Sequence, residues 1–455
     1  MILHLMNKIN YEEIIFNRNK KKIIEAIRSA ENCSYYRNLF IKNNIDINKI
    51  HTYSDFKKIP ILSKNDYKQN YLKFVKDGML TEASSILLRS PVSDYSIKDK
   101  LLNPLNLEIY ITSGSTGTPI EIIRHKYDVN QNYIVLNNYR KIVGGFESLS
   151  NYVWVLPESI ASRKYVFCQE STYFRHNRYG YIACIEKLSK ARLQEFLLFC
   201  YEKEIKSIIA WPSFLERLAD YTVNTKQINL LQSVQYIESN SELLEKKVFF
   251  KICDFLKKPI TNIYSGNETN FIAGTCSKNC MHVFDDNIFI ELIRNQGGSS
   301  ETIVTNLNSA NTALIRYNLG DIAEWDSQEC SCECNKKYPY KIKLINYRSN
   351  DMVLAKDGSK YEFNIIADPL NFSQIKYGID IGKYKVEQVM EDCFILFYSN
   401  EISDEEIGKI VSYVQNYLHE VLEYEVDIKA SRVNMDWNNY NYNRKYRYFE
   451  CCVKK

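Results

Sequence analysis

The sequence predicts an α/β protein in which helices cover large sheets, followed by a smaller α+β unit. From residue 107 onward, short apolar strand-like runs alternate with longer stretches at helical spacing, which is typical of a sheet covered by helices. After residue 350 the pattern changes to short strands with a single amphipathic helix. We therefore predict a large N-terminal domain over residues 1–350 and a small C-terminal domain over residues 351–455.

The first part of the chain is predicted to be helical. Residues 11–48 place isoleucines at helical spacing, among them Ile14, Ile15 and Ile23. The segment IPILSKNDY, residues 59–67, is predicted to be a short apolar connector followed by a helix capped by Ser63 or Asn65.

Strands and helices then alternate along the chain. The predicted strands are EIYIT at 108–112, YVWVL at 152–156, SIIAW at 207–211, SVQYIES at 233–239 and ITNIY at 260–264. Helices are predicted near 127–143, at 187–203, at 214–222 and at 242–257, between these strands. Residues 287–347 are richer in strands, and MVLAKDGSKYEF at 352–363 predicts two short strands around an Asp-Gly turn.

Composition and charge exclude several classes of protein. Hydrophobic residues make up 45% and charged residues 25% of the 455 residues, as in ordinary globular proteins. The net charge of +4 balances 59 basic against 55 acidic residues, so neither nucleic acid nor a membrane is predicted as a partner. No stretch approaches the roughly 18 apolar residues of a membrane span. With no secretory signal visible in MILHLMNKIN and an odd number of cysteines, 13, the prediction is a cytoplasmic protein without a disulfide framework.

The stretch TSGSTGTPI, residues 112–120, is predicted to bind phosphate. It follows a predicted strand, and its glycines let several backbone N–H groups converge on an anion while the hydroxyls add further donors. It is not a Walker loop, because no Gly-Lys-Ser/Thr follows. Taken alone, such a loop is also compatible with a plain surface turn.

Five motifs in order resemble those of the adenylate-forming superfamily, which includes acyl- and aryl-CoA ligases, adenylation domains and luciferases. They are TSGSTGTPI at 112–120, NIYSGNE at 262–268, RYNLGD at 316–321, INYRSND at 345–351 and NRKYRYF at 443–449. The segments YYRNLF and IPILSKNDY and the two cysteine clusters resemble one branch, that of phenylacetate–CoA ligase and its CapK-like relatives. The resemblance implies a multi-subdomain adenylation domain followed by a small mobile lid domain.

The resemblance implies a ligase that uses ATP to activate a carboxylic acid, aromatic or otherwise small, as an acyl-adenylate. It assigns Glu268 to Mg²⁺, a hard cation that prefers carboxylate and phosphate oxygens. Tyr264 would lie against adenine, Asn267 beside the nucleotide, and Asp321 would accept hydrogen bonds from the ribose hydroxyls. The residues assigned to the β- and γ-phosphates are Ser113, Ser115, Thr116, Gly117 and Thr118.

Two basic residues complete the implied catalytic set. Arg348 would contact the ribose or phosphate at the domain junction, and Lys445 would reach the α-phosphate from the C-terminal domain. Because Lys445 lies in the lid, it can act only when the domains close. The resemblance names coenzyme A or a carrier-protein thiol as acceptor and a homodimer as the assembly.

Other functions stay open because some motif positions differ from the family pattern. Leu319, Tyr347 and Asn350 stand where the family usually has Thr, Gly and an acidic residue. The alternatives are an adenylyltransferase, an enzyme that loads a carrier protein without CoA, and a nucleotide-binding relative that has lost turnover.

Two clusters of cysteine predict a metal site. TCSKNCMHVFDD and ECSCECNKKYP supply five thiols and one imidazole, ligands that suit tetrahedral Zn²⁺. By resemblance to members of the branch we predict a structural zinc site of Cys276, His282, Cys332 and Cys334, with Cys280 and Cys330 as the alternative ligands. Aromatic residues Trp211, Phe214 and Tyr236 are candidates for the wall of an acid pocket, although such residues are more often core.

Overall fold

The computed structural model of the protein describes residues 10–89, 101–111, 121–145, 149–156, 172–185, 189–241, 244, 246–294, 300–348, 352–358, 360–362, 364–382, 384–433 and 449–453. The helices within these ranges are α1 (Tyr11–Glu31), α2 (Ser34–Lys42), α3 (Tyr53–Phe56), α4 (Lys64–Asn70), α5 (Glu82–Arg89), α6 (Lys126–Gly144), α7 (Lys190–Glu202), α8 (Pro212–Thr225), α9 (Lys246–Leu256), α10 (Cys334–Lys337), α11 (Asn364–Tyr377) and α12 (Asp404–Leu422). Within the same ranges, none of these helices has the length and apolar character that a bilayer crossing requires.

The strands within these ranges fall into three groups along the chain. The first group is β1 (Leu107–Ile111), β2 (Glu121–His125), β3 (Tyr152–Leu156), β4 (Tyr173–Asn177), β5 (Gly180–Cys184), β6 (Ser207–Ala210) and β7 (Tyr236–Ser239). The second is β8 (Ile260–Gly266), β9 (Asn270–Thr275), β10 (Met281–Val283), β11 (Ile288–Arg294), β12 (Ser300–Asn306), β13 (Tyr317–Trp325) and β14 (Lys341–Arg348). The third is β15 (Met352–Leu354), β16 (Lys360–Glu362), β17 (Tyr384–Met390), β18 (Cys393–Tyr398), β19 (Asp427–Arg432) and β20 (Phe449–Cys451).

A 12-stranded sheet dominates the described part of the chain. Its order is β11-β12-β13-β14-β10-β9-β8-β7-β6-β3-β5-β4. The half from β8 to β5 is parallel, as expected where strands alternate with helices, and the half from β9 to β11 is antiparallel. β8 joins the two halves, so its carboxyl end and the turn after it lie where the sheet changes character.

Separate apolar cores pack against the two halves of this sheet. Buried residues of α7, α8 and α9 pack with those of the parallel strands, because the apolar faces of these helices can be removed from water only against the sheet. Buried residues of α1, α2, α3 and α4 pack with those of the antiparallel half. The predicted N-terminal helical region therefore packs on β13, which carries the RYNLGD motif, and contacts Tyr264 of the NIYSGNE motif.

The C-terminal residues form a 4-stranded sheet of their own, ordered β19-β18-β17-β20. Its core is built from these strands and the apolar face of α12, whose N-terminus has a capping box between Ser403 and Glu406. The Asp-Gly turn predicted between β15 and β16 is confirmed, with Gly358 at φ +84°. The domain boundary predicted near residue 350 falls on residues 349–351, which lie outside the described residues, and it stays a prediction.

The predicted α/β class is confirmed, and most of the predicted elements are present. The helices predicted near 127–143 and at 187–203 are α6 and α7, and Ser63 rather than Asn65 caps α4. The helix α11, which contains Pro369, and the strands β4 and β5 were not predicted. Residues 242, 243 and 245, within the helix predicted at 242–257, lie outside the described residues.

Candidate functional site

The predicted phosphate loop lies outside the described residues, but the strands on either side of it are described. β1 and β2 are paired antiparallel strands in which Ile111 lies opposite Glu121, so the residues on either side of the 112–120 segment are held together. The assignments of Ser113, Ser115, Thr116, Gly117 and Thr118 therefore stay predictions, as does that of Lys445 within residues 434–448.

Glu268 lies in the tight turn between β8 and β9. Gly266 and Asn270 are cross-strand partners that close this turn, and Asn270 has the left-handed φ of +64° that asparagine tolerates. The Glu268 side chain is only 9% exposed, with its Oε1 atom 3.6 Å from the Nζ of Lys64. Tyr317 donates its hydroxyl hydrogen to the same oxygen at 3.3 Å.

Tyr317 keeps its proton next to this carboxylate. Burial raises its pKa well above the usual range, and the neighbouring charge of Glu268 raises it further. The phenol is therefore a hydrogen-bond donor throughout the physiological pH range. One cation, Lys64, and one neutral donor, Tyr317, thus face the same carboxylate oxygen of Glu268.

Lys64 reaches Glu268 because the residues just before it are hydrogen-bonded to the start of β13. A capping box between Ser63 and Asp66 starts α4 with Lys64 as its first residue. The N–H of Leu62 donates to the carbonyl of Arg316 at 2.8 Å, and the N–H of Asn318 donates to the carbonyl of Leu62 at 2.9 Å. Sequence reasoning missed Lys64, since a lysine at a helix start is normally solvated. Its only signal was its place directly after the predicted cap.

Arg316, at the start of the RYNLGD motif, is a buried anchor for the same segment. Its guanidinium makes a bidentate pair with Glu291, at 2.9 Å and 3.0 Å. It also donates to the carbonyls of Lys57 and Ile59, at 2.7 Å and 2.5 Å. The residue has a left-handed φ of +52°, a conformation that a non-glycine residue keeps only where its surroundings fix it.

The residues predicted to hold the nucleoside come together at the same end of the sheet. The Tyr264 hydroxyl donates to Oδ2 of Asp321 at 2.8 Å. Asp321 is the cross-strand partner of Arg348 in the β13–β14 pair, although the Arg348 side chain lies outside what is described. Asn267 is exposed in the turn beside Glu268. An aromatic ring and two carboxylates, brought together from β8, β13 and the β8–β9 turn, are a ligand set suited to a nucleoside and its metal-bound phosphates.

The two predicted cysteine clusters are brought together in space. One ligand atom from each of Cys276, His282, Cys330 and Cys332 lies within 4.8 Å of the others. Cys276 Sγ is 3.6 Å from Cys330 Sγ, and Cys332 Sγ is 3.2 Å from Nε2 of His282. Three thiols and one imidazole at these separations fit a tetrahedral Zn²⁺ ion.

The histidine is already oriented as a metal ligand. His282 is fully buried, and its Nδ1 lies 2.7 Å from the carbonyl oxygen of Tyr338, to which it can only donate. This bond places the proton on Nδ1 and leaves the lone pair of Nε2 facing the thiols, the second-shell arrangement common at zinc sites. Burial lowers the pKa of His282, which favours the neutral form that binds metal.

The structure and the family-based prediction suggest different residues as the fourth ligand. Cys330, left open as an alternative, joins Cys276, His282 and Cys332 in the compact group, while Cys334 does not. Cys334 is buried at the start of α10 and packs with Cys276 and Tyr338 in the same small core. Its assignment as a ligand is not tested by this proximity and stays a prediction.

The aromatic candidates for an acid pocket are packed in the core. Trp211 and Phe214 lie among the buried residues of the parallel half, with ring centroids 5.5 Å apart. The Tyr236 hydroxyl lies 3.3 Å from a carboxylate oxygen of Glu238, and both side chains are buried. Among the described residues, these three therefore contribute to packing.

Comparisons with known proteins agree with this architecture. No protein-family model matches the sequence. The curated protein CapK of Staphylococcus aureus is 21% identical over 334 residues, which cover 72% of this chain and 66% of that protein, just under two thirds of its length.

Solved structures of a 2-hydroxyisobutyryl-CoA ligase have the same fold. One, in the postadenylation state with R3-HIB-AMP, has a TM-score of 0.62 at 14% identity and covers 95% of this chain and 89% of that one. Another, an open conformation with 2-HIB-AMP and CoA, has a TM-score of 0.56 at 14% identity, covering 93% and 88%. This protein therefore has the fold of the adenylate-forming ligases, as its motifs predict.

Proposed function

We propose that this protein activates a carboxylic acid with ATP and passes the acyl group to coenzyme A. In the first step a carboxylate oxygen of the acid attacks the α-phosphorus of ATP. The bond to the β-phosphate breaks, which gives acyl-AMP and pyrophosphate. In the second step the CoA thiolate attacks the acyl carbon, and AMP leaves with the bridging oxygen.

The observation that carries this proposal is the convergence of Glu268, Tyr264 and Asp321 at one end of the sheet. Tyr264 and Asp321 are hydrogen-bonded to each other, and Tyr317, in the same strand as Asp321, contacts Glu268. The hairpin that flanks residues 112–120 lies beside them, because Arg124 in β2 donates to the carbonyl of Gly266. Residues from two of the five motifs and the strand that flanks a third thus meet in one place.

The proposed reaction needs positioning and charge neutralisation more than proton transfer, because its first step brings anions together. Glu268 would hold Mg²⁺, which neutralises phosphate charge when bound. Asp321 would bind the ribose hydroxyls and Tyr264 would face the adenine. Arg348 and Lys445 are proposed for the ribose and the α-phosphate, the latter on closure of a mobile domain 351–455.

The metal site has a proposed structural role. Cys276, His282, Cys330 and Cys332 would hold Zn²⁺ and tie the β9–β10 hairpin to the segment before β14. No step of the proposed reaction needs a second metal, so the ion would contribute stability alone.

The similarity in fold to 2-hydroxyisobutyryl-CoA ligase, whose structures hold HIB-AMP and CoA, supports both half-reactions. A small acid, aromatic by the motif resemblance, is the proposed substrate class. The test described below has three competing outcomes. The acceptor could be a carrier-protein thiol, the acceptor could be an alcohol, or the protein could have lost turnover.

The test is pyrophosphate exchange into ATP across a library of carboxylic acids. We expect exchange that requires one acid or a narrow set of acids, followed by loss of free CoA thiol when CoA is added. Acid-dependent exchange without thiol consumption would favour a carrier protein. Exchange without any acid would contradict the proposal and favour an adenylyltransferase. ATP binding without exchange would indicate a relative that has lost turnover.

A further inference from the structure

Arg124 is a buried cation in the strand that leads out of the 112–120 segment. It is 7% exposed, and its guanidinium carbon lies 4.6 Å from the centroid of the Tyr110 ring in β1. The other two buried arginines of the described residues, Arg140 and Arg316, each form a bidentate pair with a buried glutamate. Within the described part of the chain, Arg124 has no such pair, and its Nε has no acceptor. A buried charge whose hydrogen bonds go only to neutral acceptors is costly, so Arg124 differs in kind from the other two.

The guanidinium of Arg124 spans the base of the turn that carries Glu268. One terminal nitrogen donates to the carbonyl of Gly266 at 3.1 Å, and the other donates to the side-chain oxygen of Asn270. Gly266 and Asn270 are the cross-strand pair that closes this turn. A planar guanidinium can reach both acceptors at once, whereas a lysine ammonium is a point donor.

Glu268 is also one of the charges that Arg124 faces. Both side chains line the same small polar cavity, together with Asp128 and Asn306. Burial lowers the pKa of Arg124, while Tyr110 and Glu268 favour its charged form. With Lys64 at 3.6 Å, two cations are therefore close to the one carboxylate proposed to hold Mg²⁺.

We propose that Arg124 is a positioning residue for the nucleotide site, joining the strand after residues 112–120 to the turn that carries Glu268. The inference rests on the proposed function, in which 112–120 binds the triphosphate and Glu268 binds its Mg²⁺. The two terminal nitrogens of Arg124 hold β2 at a fixed separation from the turn that carries Glu268. Without the guanidinium, the turn can move relative to the β1–β2 hairpin. The Mg²⁺ requirement and the KM for ATP then rise.

The experiment compares Arg124→Lys with Arg140→Lys in the full chain. Both substitutions keep the charge and remove a guanidinium fork at a buried site, but Arg140 bonds to Glu238 rather than to the Glu268 turn. The measurements are the Mg²⁺ concentration for half-maximal pyrophosphate exchange, the KM for ATP, kcat and the unfolding midpoint. For Arg124→Lys we expect the Mg²⁺ requirement and the KM to rise by about 10–100-fold, the range seen when residues that orient metal ligands are changed, with a smaller change in kcat.

For Arg140→Lys we expect a lower unfolding midpoint with the wild-type Mg²⁺ requirement and KM. A second variant, Asn270→Gly, removes one acceptor of Arg124 while allowing the positive φ. It should shift the Mg²⁺ requirement in the same direction as Arg124→Lys, and it keeps the test decisive if Arg124→Lys does not fold. Wild-type Mg²⁺ and ATP dependence in both Arg124→Lys and Asn270→Gly would overturn the proposal.

A failure of the proposed function can be distinguished from a failure of the proposed role of Arg124. If the wild-type protein shows no exchange with any acid, the Mg²⁺ dependence of binding to a nonhydrolysable ATP analogue replaces exchange as the readout. A weaker Mg²⁺ response of binding in Arg124→Lys than in the wild type would then still support the role of Arg124. An identical response, or no binding of the analogue by the wild type, would overturn it.

Discussion

The surroundings of Glu268 depend on residues that are distant in the chain. Lys64 comes from the start of α4, Tyr317 from β13 and the bridging Arg124 from β2. Each is held by its own local structure: a capping box, a buried strand and a stacked ring. A change at any of these three positions is therefore expected to act on the same carboxylate.

The cysteine cluster gives a prediction at the scale of single residues. Cys330→Ser should lose the bound zinc, because a serine hydroxyl replaces one of the four grouped ligand atoms. Cys334→Ser should retain it. The measurement is zinc content by inductively coupled plasma mass spectrometry, with an expected value of about one ion per wild-type chain.

Cys200→Ser serves as the control for this experiment, since Cys200 is fully buried in α7, in a different core from the cluster. It should keep its zinc whatever its effect on stability. The opposite result, with zinc lost in Cys334→Ser and kept in Cys330→Ser, would show that the ligand set chosen by family resemblance is the right one.

Sequence reasoning reached some of these residues and missed others for a physical reason. Glu268, Tyr264 and Asp321 belong to short motifs whose order identifies them. Lys64 and Arg124 act through contacts to strands far along the chain, and no local pattern marks such contacts. Arg316 belongs to the RYNLGD motif, but the motif does not indicate its contacts to Glu291 and Lys57. The choice between Cys330 and Cys334 depends on how the segment before α10 folds, which spacing alone does not fix.

At the scale of elements, α6 is tied to the central sheet by a buried ion pair. Arg140 in α6 donates to both carboxylate oxygens of Glu238 in β7, at 2.6 Å and 2.7 Å. The two side chains are 7% and 3% exposed, so this pair is shielded from water and salt. Its net contribution to stability depends on how well two buried charges compensate each other.

Removing one partner of the Arg140–Glu238 pair should lower the free energy of unfolding, whereas replacing both partners should change it little. Arg140→Met leaves Glu238 buried without a cation and is expected to lower the free energy of unfolding by about 3–5 kcal/mol. Arg140→Met combined with Glu238→Leu should recover most of that loss. The measurement is urea unfolding of the two variants and the wild type. A double variant as unstable as Arg140→Met would contradict this account.

Elements with a strong periodic pattern were predictable, and others were not. The long amphipathic helices α6 and α12 and the apolar strands β3 and β6 follow directly from spacing. The helix α11 contains Pro369, a residue that argues against a helix when sequence alone is considered. The strand β4 ends in the polar residues RHN and lacks an apolar alternation, and β5 has only five residues, so the pairing of the two strands shows only in the sheet.

At the scale of the whole molecule, the alternation of strand-like and helical runs predicted the α/β fold with a C-terminal unit, and the solved ligase structures share this fold. The sequence did not predict which helices pack against which half of the main sheet. The parallel half packs against α7, α8 and α9, while the antiparallel half packs against the N-terminal helices and carries Glu268 and Asp321. The N-terminal helices thus contribute Lys64 to the site.

The central claim is that a carboxylate of the substrate attacks the α-phosphorus of ATP. The most direct measurement uses the acid identified by the exchange screen, labelled with ¹⁸O in its carboxylate, in a complete reaction with ATP and CoA. The AMP produced is then analysed by mass spectrometry. The account predicts one ¹⁸O atom transferred from the acid to the phosphate of AMP. Unlabelled AMP, or label in inorganic phosphate with ADP as the product, would contradict it.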